Sequence, residues 1–146
     1  IVWAETAHEI KMATVPSGIY LSKTCFMLIG EKLKYFQAIG NSNLIDWYAR
    51  KSIHQLGQTG ICASGYFMEQ LPIPPITPQN LSIAEQIEKL VDQMLDAQKL
   101  YHNAKTESDK KLYKHKIDLI DKQIDTLVYE LYGLTENEIK IIEESL

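Results

Sequence analysis

Apolar and polar positions follow two different rhythms along these 146 residues. The first thirty read as extended structure. Ile1-Val2-Trp3-Ala4 is short, apolar and strand-like, and Pro16-Ser17-Gly18 is a turn signal. Ile19 to Ile29 is rich in the aromatic and aliphatic residues that favour strands, and Gly30 ends the run. The rhythm then turns helical. Leu33, Phe36, Gln37 and Gly40 mark one helix, with Tyr35 and Ile39 nearby. Asn41-Ser42-Asn43 offers caps for a second, in which Leu44, Trp47, Tyr48 and Lys51 share a face. Gln55 to Gly60 is expected to be a glycine-bounded polar loop. Ile61 to Ala63 is expected to be a short strand, and Tyr66 to Leu71 leads to a stop at Pro72.

Beyond Leu71-Pro72-Ile73-Pro74-Pro75-Ile76 the pattern is regular. Ser82-Ile83-Ala84-Glu85 has the form of a capping box. Ile83, Ile87, Leu90, Met94, Ala97 and Tyr101 then alternate steps of four and three, a heptad seam. Asn103 to Glu107 interrupts it. Leu112, Ile117, Ile120, Ile124, Leu127 or Val128, and Leu131 resume it. Two antiparallel helices of about 22 residues, each roughly 33 Å long, are expected. Gly133 suits a left-handed cap, and Thr135-Glu136-Asn137-Glu138 is a second capping box before a short helix with Ile139, Ile141 and Ile142. The expected fold class is α+β: a small mixed domain over 1–76, then a helical hairpin and a short C-terminal helix over 77–146.

Composition narrows the function classes. The chain is 45% hydrophobic, ordinary for a globular protein. No apolar run reaches the roughly 18 residues of a membrane span, and no signal-peptide pattern is present, so a cytoplasmic protein without membrane contact is expected. The opening Ile1-Val2-Trp3 has no initiator Met, which reads as a fragment of a longer chain or a processed product. Cys25 and Cys62 are far apart among apolar or small neighbours, and read as buried free thiols. The net charge of −4 is unevenly spread. Residues 1–76 hold six basic and five acidic side chains, a net of +1, whereas 77–146 hold nine and fourteen, a net of −5. Neither half is the basic domain of a strong stand-alone nucleic-acid binder.

Four segments together resemble the C-terminal specificity region of TaqI-like adenine DNA methyltransferases of type II and fused type IIG restriction–modification systems. Tyr20-Leu21-Ser22-Lys23-Thr24-Cys25-Phe26 resembles that family's strand with a polar centre. Leu33 to Ser42, with Lys34-Tyr35-Phe36-Gln37-Ala38-Ile39-Gly40-Asn41 between, resembles its helix and Asn-Ser turn. Phe67-Met68-Glu69-Gln70-Leu71-Pro72-Ile73-Pro74 is similar to its exit toward the helical part. Asp125 to Thr135, containing Val128-Tyr129-Glu130-Leu131-Tyr132-Gly133-Leu134, is similar to its C-terminal signature. The resemblance implies a target-recognition domain that binds double-stranded DNA. The catalytic methyltransferase domain would lie in the same polypeptide and hold S-adenosylmethionine, with Mg as a further candidate in the parent enzyme. The family's Asn/Asp-Pro-Pro-Tyr/Phe motif is absent, because Pro74-Pro75 stands between Ile73 and Ile76. This stretch is therefore expected to be non-catalytic and to bind no cofactor itself. A specificity subunit of a type I restriction system shares the same plan. A protein-interaction module acting through the hairpin is the reading from another class.

Base reading needs amides, guanidinium groups and hydroxyls at accessible ends. The best concentration is Arg50, Lys51, Ser52, His54, Gln55, Gln58 and Thr59, which includes the chain's only arginine. A solvated helix end followed by a loop is the plain alternative. Lys11, Thr14, Ser17 and Lys23 form a second cluster. Tyr35 and Tyr66 are aromatic candidates, while Trp3, Trp47, Tyr48 and Phe67 read as core. His8 and His54 lack metal partners at ligand spacing, and His102 and His115 read as surface residues flanking the hairpin tip. Asp118, Asp121 and Asp125 form a helical stripe with Lys114 and Lys122, expected to be solvated ion pairs.

Overall fold

The structure is a computed structural model that describes residues 1–52 and 60–146, together with the backbone of 55–56. About 56% of the chain is helical. The strands among the described residues are β1 (Val2–Ala4), β2 (Thr6–Ala7), β3 (Cys25–Met27), β4 (Gln55–Leu56) and β5 (Gly60–Cys62). The helices are α1 (Leu33–Gly40), α2 (Asn43–Ser52), α3 (Gly65–Met68), α4 (Leu81–Asn103), α5 (Glu107–Leu131) and α6 (Glu136–Glu143). The expected α+β class is observed, including the long hairpin α4–α5 and the short C-terminal helix.

The strands form two small antiparallel sheets, ordered β1–β3 and β2–β5–β4. One nearly continuous run, residues 2–7, serves both. Its first part pairs with β3 (Trp3 opposite Phe26) and its second with β5 (Ala7 opposite Ile61). Trp3 ties the sheets together: its indole N–H donates to Ala63 O at 2.9 Å, and its ring stacks on Phe26. Two expectations need correction here. Only Cys25–Met27 of the run from Ile19 to Ile29 is strand. A turn closed by Cys25 N–H on Ser22 O removes the preceding residues from the ladder. Gln55 and Leu56, expected in a loop, pair with Ile61 and Gly60 instead.

Helix α1 is the bridge between the strands and the hairpin. It buries Tyr35, Gln37, Ala38, Ile39 and Gly40. Two ion pairs fix it to α4, Lys32–Glu88 at 2.9 Å and Lys34–Asp92 at 2.6 Å. Just past it, the Asn41 side chain pairs with the Met12 main chain as a neighbouring strand would. Its Oδ1 accepts from Met12 N–H at 2.6 Å, and its Nδ2 donates to Met12 O at 3.0 Å. Gln37 adds a second amide donor to Met12 O and accepts from the Thr14 hydroxyl. These bonds satisfy backbone groups that no strand reaches. Tyr35 is core, 2% exposed, with its hydroxyl donating to Pro74 O.

The hairpin follows the heptad pattern with adjustments. Ile87 and Ala97 of the expected seam are buried, and so are Ala84 and Val91, because α4 packs on α1 as well as on α5. Ile117, Ile120, Ile124 and Val128 are buried on α5, whereas Leu112 is exposed near the tip. The Ser82–Glu85 capping box does not form. Helix α4 begins at Leu81, behind Asn80, so Ser82 already lies inside its first turn and cannot act as the cap. The Asn80 amide accepts from Thr77 N–H and donates to Pro75 O, so the turn after the prolines already sets the helical start. At the other end both signals hold. Gly133, at φ 65°, closes a Schellman motif, with Leu134 N–H on Tyr129 O and Gly133 N–H on Glu130 O. Thr135 and Glu138 form the capping box of α6. The two cysteines are free, as expected, but half-buried rather than buried.

Gly40 is packed against Met12 so closely that an added Cβ would lie 2.5 Å from its Cε and 2.7 Å from its Sδ. The far end of the Met12 side chain must turn aside, and because Met12 is buried that movement disturbs its core neighbours. Gly40→Ala is expected to destabilise the fold by about 1–3 kcal/mol. Denaturant midpoints would check this, and Met12→Ala in the same chain should recover part of the loss.

Candidate nucleic-acid interface

Helix α2 presents the central candidates. Leu44, Ile45 and Ala49 are buried, Trp47 and Tyr48 are half-buried, and the Tyr48 ring stacks on Phe67 of α3. This inward face leaves Lys51 and Ser52 exposed in the last turn, where cations favour the helix dipole. Arg50 is half-buried, and its Nε donates to Asp46 one turn earlier at 2.8 Å. That bond fixes the guanidinium's direction. Gln55 continues from this end as β4, where only its backbone is described. His54, Gln58 and Thr59 lie outside the described residues.

The strand register determines what stands near this helix end. Glu5 N–H donates to Thr24 O, and Ala7 lies opposite Ile61, which in turn lies opposite Gln55. The turn carrying Lys23 and the β4–β5 pair therefore lie toward the same end of the 2–7 strand. Lys23, Ser22 and Thr24 are exposed there, and Tyr20 beside them is 99% exposed. Tyr66 is 78% exposed on α3, between Gly65, which approaches Phe26, and Phe67, which stacks on Tyr48.

The rest of the second cluster is dispersed. Lys11 pairs with Glu9 at 3.3 Å and lines a cavity of about 280 Å³ together with Asp118, Asp121 and Asp125 of α5. Thr14 is held by Gln37, and Ser17 is exposed. Of the six cations in residues 1–76, Lys11, Lys32, Lys34 and Arg50 are thus committed to carboxylates. Lys23 and Lys51 have no ion pair among the described residues. No group of three or more His, Cys, Asp or Glu positioned to hold a metal occurs among those residues either. No described helix is long and apolar enough to cross a membrane.

The orientation of α2 depends on a residue read differently in the sequence. Asp118 does form the expected solvated pair with Lys114, at 2.7 Å. Asp125 does not: it is only 7% exposed, and its Oδ1 accepts from Asn43 N–H at 2.9 Å. The Ser42 hydroxyl accepts from Ile45 N–H in the same turn, so α2 carries one local cap and one supplied by α5. Burial pushes the Asp125 carboxyl up to about 6, against the lowering effect of the Asn43 bond, with the charges of Asp121 and Glu143 adding to the rise. Tyr129, a turn further along, is pushed up to about 12, mainly by burial. The signal was present in the sequence, since Asp125 adjoins Ile124 on the arc that also carries Ile117 and Val128.

No family model, curated protein sequence or solved structure matches this chain. The likeness to methyltransferase specificity regions rests on the four quoted segments alone.

A carboxyl raised in the folded state binds more protons there than in the unfolded chain. Its contribution to stability therefore falls as pH rises from the ordinary 3.8 through about 6. Asp125→Asn keeps an acceptor for Asn43 without the charge. It is expected to melt higher than wild type at neutral pH, with the gap closing as pH falls from about 6 to 4. Asp125→Ala, which also lacks the charge but leaves Asn43 N–H uncapped, should lie about 1 kcal/mol below Asp125→Asn throughout this range. Thermal melts across that interval would check both.

Proposed function

We propose that this chain is a sequence-specific DNA target-recognition module. In this reading it is the C-terminal part of an N6-adenine restriction–modification methyltransferase, whose catalytic domain and S-adenosylmethionine site lie in another part of the same polypeptide. The observation that supports it is the exposure of Lys51, Ser52, Lys23 and the projecting Tyr20, with the turn of Lys23 and the β4–β5 pair toward one end of the 2–7 strand. Hydroxyl, ammonium and aromatic groups on such an end are the side chains that contact phosphates and base edges. The acidic hairpin acts as a strut that sets the reading end relative to a catalytic domain. A type I specificity subunit would use the same parts, with the hairpin serving assembly.

Because most of the first half's cations are already paired, phosphate contact by this chain alone should be weak. A salt slope no steeper than about −2 is expected, as for two ammonium groups. Selection from a randomised duplex pool at low and moderate salt is the test. It would compare the wild type with a Lys23→Ala/Lys51→Ala/Gln58→Ala variant. Enrichment of a short motif, lost in the variant, is the expected result. Absence of binding at low salt, by this chain and by a polypeptide containing it, would overturn the proposal.

A further inference from the structure

A second surface lies beside β3, and nothing in the DNA reading uses it. Ile1 and Leu28 exchange both main-chain hydrogen bonds, and Val2 gives both of its own to Ala13. By antiparallel alternation, Met27, the partner of Val2, turns its N–H and C=O away from β1. Among the described residues no strand occupies that outer edge. Met27 and Ile29, two residues apart on one face, are both exposed. An unpaired edge with apolar side chains is a template for another strand.

Next to the edge opens a cleft of about 850 Å³, lined mainly by apolar side chains including Trp3, Phe26, Phe36, Met68 and Ile76. Its charged rim is uneven. Lys32 is committed to Glu88, whereas Glu31 and Glu69 are exposed and have no ion pair among the described residues. Lys32 also starts α1 in the left-handed conformation, at φ 56°, which is uncommon for a residue other than glycine. The free carboxylates select for a cationic occupant, and the free edge selects for an extended one.

We propose that the β3 edge and this cleft form a docking site for an extended polypeptide segment with an apolar middle and lysine or arginine at its ends. The segment adds a strand at Met27, places its apolar side chains over the cleft and brings its terminal cations to Glu31 and Glu69. This site does not rest on the DNA reading and can fail or stand without it.

The probe is a short synthetic peptide of a few valines flanked by lysine at each end. It would be compared with its valine–glutamate counterpart and with a version N-methylated at alternate residues. Binding is read by amide shifts and hydrogen exchange at Met27 and Ile29. The valine–lysine peptide is expected to bind and to protect the Met27 amide, whereas the other two should not. Glu31→Lys/Glu69→Lys should weaken binding at least about tenfold. Met27→Pro should abolish it while leaving the β1 pairing intact, because the lost N–H faces outward. Far-UV circular dichroism would confirm that both variants fold. Equal binding of the acidic peptide, indifference to the glutamate substitutions, or no binding up to about 1 mM peptide would overturn the proposal. So would concentration-dependent protection of Met27 in the protein alone, which would assign the edge to a second copy of the chain.

Discussion

The arrangement depends on α1 being held from both sides. Strands of two or three residues in sheets of two and three strands cannot form an independent core. Here they are completed by a helix that is mostly buried, fixed to the hairpin by two ion pairs and to the 10–14 segment by Asn41 and Gln37. The exposed ion pairs are individually weak. The buried residues between them, Ile39 with Ile87 and Val128 elsewhere in the same core, supply the larger hydrophobic stabilisation. The position of the Arg50–Ser52 helix end is therefore inherited from the hairpin: α4 places α1, α5 caps α2, and α2 carries Arg50 to Ser52.

That chain of dependence explains which features the sequence revealed. Long periodic segments declare themselves, so the hairpin, the Gly133 cap and the Thr135–Glu138 box could be read directly. The β half has no comparable periodicity. Its strands exist because a particular neighbour lies alongside, as Ala7 does for Ile61, and no local pattern encodes that pairing. Asn41 and Gln37 looked like ordinary polar residues of a helix and turn, and only the folded path of Met12 gives them a task. The Asp125 stripe was misread for the same reason: charge pattern on one helix does not reveal a second helix ending against it.

The candidate interface was legible in type more than in place. Lys51, Ser52 and Lys23 stand at accessible ends, as their chemistry suggested, whereas Lys11 and Tyr35 were drawn into contacts elsewhere. Acidity is also partly internal. Carboxylates of the hairpin neutralise lysines of the first half, so the segregated net charges of the sequence are not two separate electrostatic surfaces. The molecule joins them across its middle.

The hairpin tip behaves differently from its base. Between Ala97 and Ile117 no side chain is buried, and the tip turns through Ala104 to Thr106 with the Thr106 cap to restart the helix. No fully buried side chain lies there to register a change. Adding one heptad to each arm would push the tip outward by about 10 Å and leave every buried contact at the base as it is. The outer hairpin is in that sense an adjustable ruler, whose reach can drift over evolutionary time, or be set by an engineer, independently of the fold that carries it.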